Sequence, residues 1–188
     1  MGRGICGMST ETGKIRKYMY RPAEYLPYDH ESPRVAECVV RMILLADARL
    51  RVEHVGSTAV PGCWGKGVVD LVLLYPVGRL VQAGETLDRL GFQQQTGPDP
   101  FPETRPLRVA SIEYLGRDYR LHVHVLEEGC AEAGDLIKFR DLLRSNVGLR
   151  RAYEMEKRVI LSRGVSKSIQ YSKAKGEFIR TALAAAVF

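Results

Sequence analysis

The sequence predicts an α+β domain, one mixed β-sheet carrying helices followed by a helical C-terminal third. Three observations lead there. Residues 68–75 read V-V-D-L-V-L-L-Y, a dense aliphatic run of the kind that forms a central, buried strand. Residues 108–115 and 119–126 are strand-type runs around Gly116-Arg117-Asp118, a hairpin signal. Beyond them come three runs of helical periodicity, 133–144, 147–163 and 168–186, broken at Asn146 and Gly164.

The remaining elements follow in chain order. Residues 1–17 hold no apolar stretch of the signal-peptide type and read as a disordered lead-in to one domain over 18–188. Residues 18–29 carry aromatics and prolines (Tyr20, Pro22, Tyr25, Pro27, Tyr28) and read as an extended arm on the domain surface. Ser32 offers an N-cap and Pro33 a first-turn residue, and Val35, Val39, Met42, Ile43 and Ala46 recur at helical spacing, predicting a helix over 33–47. Residues 51–55 are a short strand ending at Gly56, and 57–67 are a loop or one short helical turn. Residues 81–90 read as a helix stopped by Gly91, and 92–106, with four prolines, as a mobile loop.

Bulk properties narrow the partners. A chain of 188 residues, 45% apolar and 27% charged, can bury a core without disulfide or metal staples. Its 28 Lys+Arg against 22 Asp+Glu leave a net charge of +6, suited to nucleotide phosphate, RNA or an acidic protein. No single run is basic enough for a nucleic-acid tail, so nucleic acid is the less favoured partner. Cys6, Cys38, Cys63 and Cys130 form no C-x-x-C pair and read as free thiols, which places the chain in a reducing, cytoplasmic compartment. No apolar stretch approaches the ~20 residues of a membrane span.

The most informative segment is V-E-H-V-G-S-T-A-V-P-G, residues 52–62. A strand ending in Gly56-Ser57-Thr58 exposes backbone N–H groups at a tight turn, where glycine lets a phosphate approach and hydroxyls add donors. Asp70 stands inside an apolar strand, where a carboxylate is costly unless paired or metal-bound. Lys66, four residues earlier, reads as a counter-charge to a phosphate, as the ion-pair partner of Asp70, or as a plain surface lysine. His122 and His124 alternate with Leu121, Val123 and Val125, so both imidazoles lie on one strand face. With Asp70 they would make a two-histidine, one-carboxylate set suited to Zn²⁺, Mn²⁺ or Fe²⁺; hydrogen bonding to neighbours is the plainer alternative. Tyr153 with Lys157, and Tyr171 with Lys175, are i, i+4 pairs that could stack a base and meet a phosphate, or simply cover apolar surface.

The run E-H-V-G-S-T-A-V-P-G with Lys66 and Val69-Asp70, then Leu121-His122-Val123, Phe139-Arg140-Asp141-Leu142-Leu143-Arg144 and the two Tyr/Lys pairs, resembles the GrpB-like family over residues 25–183. That family belongs to the nucleotidyltransferase superfamily, whose pattern is G-S, a spacer, then D-x-[DE]. The resemblance implies a nucleotidyltransferase-like sheet, a nucleoside triphosphate held by Gly56 and Ser57, and Mg²⁺ or Mn²⁺ on Asp70. It also implies ligand contacts from Arg140, Lys157, Tyr171 and Lys175. This chain departs from the pattern at the second carboxylate, which is Val72, and carries Gly65-Lys66-Gly67 where A-K-P is common. Three functions therefore stay open: a metal-dependent transferase with Asp70 and His122 as catalytic groups, a non-catalytic module that binds a phosphorylated ligand or a protein, or, as the weakest of the three, RNA binding through the basic helices.

Overall fold

The computed structural model describes residues 13–22, 24–96, 100–162 and 168–186, with the side chains of 168–174 outside the description. Most of the expected lead-in, Pro98, the break at Gly164, Cys6 and the Tyr171 side chain lie outside the described residues.

Among the described residues, six strands form one mixed sheet, flanked by five helices. The strands are β1 (Ile15–Arg16), β2 (Arg51–Val55), β3 (Val68–Tyr75), β4 (Gln93–Gln94), β5 (Leu107–Tyr114) and β6 (Arg117–Glu127). The helices are α1 (Ser32–Ala46), α2 (Leu80–Arg89), α3 (Ala131–Ser145), α4 (Val147–Ser162) and α5 (Ser168–Ala185). The spatial order is β1-β5-β6-β3-β2, with β4 also pairing β5. Only β3 and β6 run parallel. The α+β class, the mixed sheet and the helical C-terminal third agree with the sequence.

The apolar run of β3 is central because both of its faces are covered. Val69, Leu71, Leu73 and Tyr75 join Leu121, Val123 and Val125 of β6 in a core closed by α1 and α2. Val72 and Leu74 point the other way and pack with Leu126 and Ala133 under α3. A third cluster, Val60, Cys63, Phe139, Leu143, Tyr153 and Leu183, ties the C-terminal helices to the segment after β2. The strand alternation thus sends aliphatics to one side and leaves positions 70, 122 and 124 on the side that α3 only partly covers.

Several local details differ from the expectation. Ser32 is the first helical residue of α1, preceded by Glu31, and makes no capping hydrogen bond. The hairpin turn is the two residues Leu115 and Gly116, both at positive φ (50° and 72°), so β6 starts at Arg117; a two-residue turn of this hand matches the strand twist. Gln93–Gln94 is a strand inside the segment read as loop, because Val109 and Arg108 of β5 supply a pairing edge. Ile15–Arg16, placed in the lead-in by sequence, pairs with Ile112 and Ser111 on the same strand. Neither two-residue strand carries a periodic signal; the edge of β5 organises both.

Core and surface positions should separate cleanly in mutational stability. Leu71→Ala, at a side chain that is 0% exposed, should cost about 2–5 kcal/mol in urea unfolding. Leu45→Ala, 81% exposed on α1, should stay within about 0.5 kcal/mol.

Candidate functional site

The site is built where β2 ends beside β3. Val55 pairs with Asp70, so the chain leaves β2 directly over that carboxylate. Gly56 makes the exit at φ 71°, ψ −170°, and a Cβ added there would stand 2.5 Å from Asp70 Oδ2. A residue with a side chain would therefore meet both a strained backbone and a side-chain clash. A 3₁₀ turn, Ser57–Ala59, follows; its first N–H groups have no partner within the turn. The segment then folds back, so that a Cβ on Gly65 would lie 2.3 Å from Ser57 Oγ. Among the described residues, the Ser57 hydroxyl has no hydrogen-bond partner.

Thr58 has a different position from Ser57. It is buried, its Oγ1 donates to Val68 O (3.0 Å), and it lies 3.0 Å from His54 Nε2. This hydroxyl locks the turn onto β3 instead of facing a ligand.

Asp70, 28% exposed, lies across the parallel pair from His122. Asp70 Oδ1 and His122 Nδ1 are 3.5 Å apart, and Tyr18 Oη lies 2.9 Å from His122 Nε2. Burial, helped by Arg120, Lys66 and Lys175, pushes the His122 pKa down to about 4, so the ring is neutral near pH 7. A neutral ring with Nε2 accepting from the Tyr18 hydroxyl carries its proton on Nδ1, towards Asp70. Burial raises the Asp70 pKa, while Lys175, His124, Lys66 and Arg120 all act to lower it. Burial likewise brings Lys66 down to about 8, with Lys175 and Arg120 adding to the effect and Asp70 opposing it. Arg120 itself donates to the carbonyls of Lys66 and Arg21.

The three-ligand metal set expected from the sequence is not assembled here. Among the described residues, no three His, Cys, Asp or Glu side chains are arranged to hold a metal ion. The expected set of Asp70, His122 and His124 is therefore corrected. His122 is engaged with Tyr18, and His124, two residues on, stacks edge-on with Phe101 at 5.9 Å and is lowered to about 4, chiefly by burial. Val72, where the sequence pattern led us to look for a second carboxylate, is fully buried in the packing under α3.

The helical residues divide. Lys175 is half-buried, and its charge acts on Asp70, His122 and Lys66. Lys157 is buried in a structural niche: its ammonium reaches Trp64 O and Cys63 Sγ (3.5 Å) and sits 4.3 Å from the Tyr153 ring centroid. Arg140 is committed to Glu53 (2.9 Å), His54 O (3.0 Å) and Asp141 (2.8 Å), bracing β2 against α3. Arg144 closes the Phe139-to-Arg144 run singled out in the sequence, whereas Arg150 was not foreseen. They hold the carbonyls of Ala59 and Pro61, both at 2.9 Å, and so fix the far side of the turn. Arg120 and Tyr18 were also missed. Arg120 directly precedes the matched Leu121-His122-Val123 run, a signal that was legible; Tyr18 reaches the site only because the arm crosses the sheet.

The chain matches the family model described as GrpB protein over residues 22–185. A UPF0157 protein of Streptomyces coelicolor is 34% identical over 142 residues, covering 74% of this chain and 70% of that protein. A UPF0157 protein of Pseudomonas aeruginosa is 33% identical over 171 residues, covering 87% and 67%. The crystal structure of the conserved protein GrpB from Enterococcus faecalis superposes with a TM-score of 0.67 at 18% identity, covering 87% of this chain and 99% of that one, and shows the same fold. With the Gly56-Ser57 turn and Asp70 inside the matched region, the chain belongs to the GrpB family.

Proposed function

We propose that the protein binds a nucleotide or another phosphorylated ligand at the Gly56-Ser57 turn, with lysines supplying the counter-charge. The supporting observation is the charge pattern around Asp70. Lys175, Lys66 and Arg120 all favour a negative charge there. Beside them, the Ser57 hydroxyl and the leading N–H groups of the 3₁₀ turn offer donors to phosphate oxygens. Lys66 and Lys175 would take over the charge neutralisation that the superfamily assigns to metal. Asp70, His122 and Tyr18 form a hydrogen-bonding chain alongside, in which a neutral His122 can take a proton at Nε2. The site thus favours phospho-ligand recognition over two-metal nucleotidyl transfer. No helix among the described residues is long and apolar enough to cross a membrane.

A thermal-shift series with ATP and inorganic tripolyphosphate tests this. At one hundred times the dissociation constant, a ligand should add about 2.7 kcal/mol of stability. Ser57→Ala and Lys66→Met should keep the unliganded melting temperature within a few degrees and lose most of the shift. A wild-type protein whose melting is unmoved by any phosphorylated compound would refute the proposal.

The neutral histidines predict a pH dependence. His54, His122 and His124 have folded pKa values of about 4, below the unfolded value near 6.5. Their contribution is therefore complete above about pH 6.5 and is lost as pH falls towards 4, where the unfolded chain binds the extra protons. Each can contribute up to about 1.4 kcal/mol per pH unit in that window, with the raised Asp70 carboxyl acting in the opposite direction. Urea unfolding between pH 4 and 7 should show stability falling with acid, and less steeply in His122→Gln. A flat profile would contradict the neutral-imidazole assignment.

A further inference from the structure

A cleft separate from the Gly56-Ser57 turn opens between the arm, the Trp64 loop and α4. It has a volume of about 310 Å³ and is lined by Tyr25, Trp64, Arg151, Glu154, Met155 and Arg158, at the low end of the roughly 300–1,000 Å³ common for ligand pockets. The Tyr25 and Trp64 rings stack with centroids 5.5 Å apart at 26°. The Arg158 guanidinium carbon lies 5.5 Å from the Tyr25 centroid. Trp64 is 43% exposed and Met155 59% exposed, so apolar surface stays open beside the stack.

The platform is held in place. Trp64 N–H donates to Glu154 Oε1 (2.8 Å), Tyr25 Oη donates to Glu154 O (3.3 Å), and Trp64 O receives the buried Lys157 ammonium. The arm is fastened beside it by the paired backbone hydrogen bonds of Leu26 and Gly65 (2.7 and 3.0 Å). One carboxylate oxygen of Glu154 is thus engaged by the backbone. Arg151 and Arg158 make no ion pair with any described residue. Fixed aromatic rings flanked by guanidinium groups with no ion pair among the described residues are the two components of single-strand nucleic-acid recognition: a face for an unpaired base and cations for the adjoining phosphates. A protein partner would be met more typically by a larger apolar patch with paired charges at its rim.

We infer that this cleft is a binding site for single-stranded nucleic acid, with an unpaired base on the Tyr25–Trp64 platform and phosphates on Arg151 and Arg158. Neither the turn nor Asp70 takes part, so the inference stands apart from the proposed phospho-ligand site.

Trp64 is the single tryptophan of the chain, so its fluorescence reports on the cleft directly. The full chain is titrated with an eight-residue oligouridylate, the matching oligothymidylate, a blunt RNA duplex and uridine monophosphate. Both single strands should quench Trp64, with the duplex and the mononucleotide at least tenfold weaker. Two phosphate contacts should give a slope of about −1.4 for log affinity against log salt. Arg151→Ala combined with Arg158→Ala should weaken binding at least tenfold without moving the melting temperature. Trp64→Leu, followed by anisotropy of a labelled strand, should do likewise, while Ser57→Ala should not. Absence of quenching, equal binding of the duplex or the mononucleotide, or full affinity in the arginine variant would each overturn the inference.

Discussion

The structure depends on one close approach, that of the Gly56 backbone to the Asp70 carboxylate. A Cβ at position 56 would come within 2.5 Å of Asp70 Oδ2, so the turn can close over the strand only without a side chain. That closure sets where Ser57 stands and brings the loop back until Gly65 lies against Ser57. It also delivers Lys66 to the side of the sheet that carries Asp70 and His122. A half-buried carboxylate placed in this way would be unfavourable alone. The surrounding cations offset part of the cost and leave the region electrostatically suited to an anion.

The same closure explains why so many candidate residues turn out to be scaffolding. Holding a turn this tight leaves loop carbonyls and hydroxyls that must be satisfied inside the protein. Thr58 serves Val68, Arg144 serves Ala59, Arg150 serves Pro61, and Lys157 serves Trp64. Arg140 braces the strand that leads into the turn. All but Arg150 lie within motifs that resemble the family pattern, and their placement accounts for that part of the pattern through structure. The remaining groups, Ser57, Lys66, Asp70, His122 and Lys175, are the ones left grouped about the turn and Asp70.

Much of this was legible in the sequence. The central strand, the hairpin, the long helices and the Gly-Ser turn all carry strong local signals, and the strand period placed His122 and His124 on one face. The period could not tell which tertiary neighbours each ring would meet. Tyr18 occupies one and Phe101 the other, and both come from segments without periodicity. The short strands at Ile15–Arg16 and Gln93–Gln94 were illegible for the same reason, since the free edge of β5 defines them. Sequence spacing also offered Lys157 and Lys175 as equivalent members of Tyr/Lys pairs, whereas the fold buries one and leaves the other half-buried near Asp70.

The central claim is that lysine charge, not a pair of metal ions, meets the ligand at this turn. Titration calorimetry of the purified chain with ATP, first in EDTA and then with excess Mg²⁺, tests it most directly. The account predicts binding in EDTA at least as tight as with Mg²⁺, since free ATP offers the lysines more negative charge. Binding that appears only when Mg²⁺ is added would contradict it and return Asp70 to the role of a metal ligand.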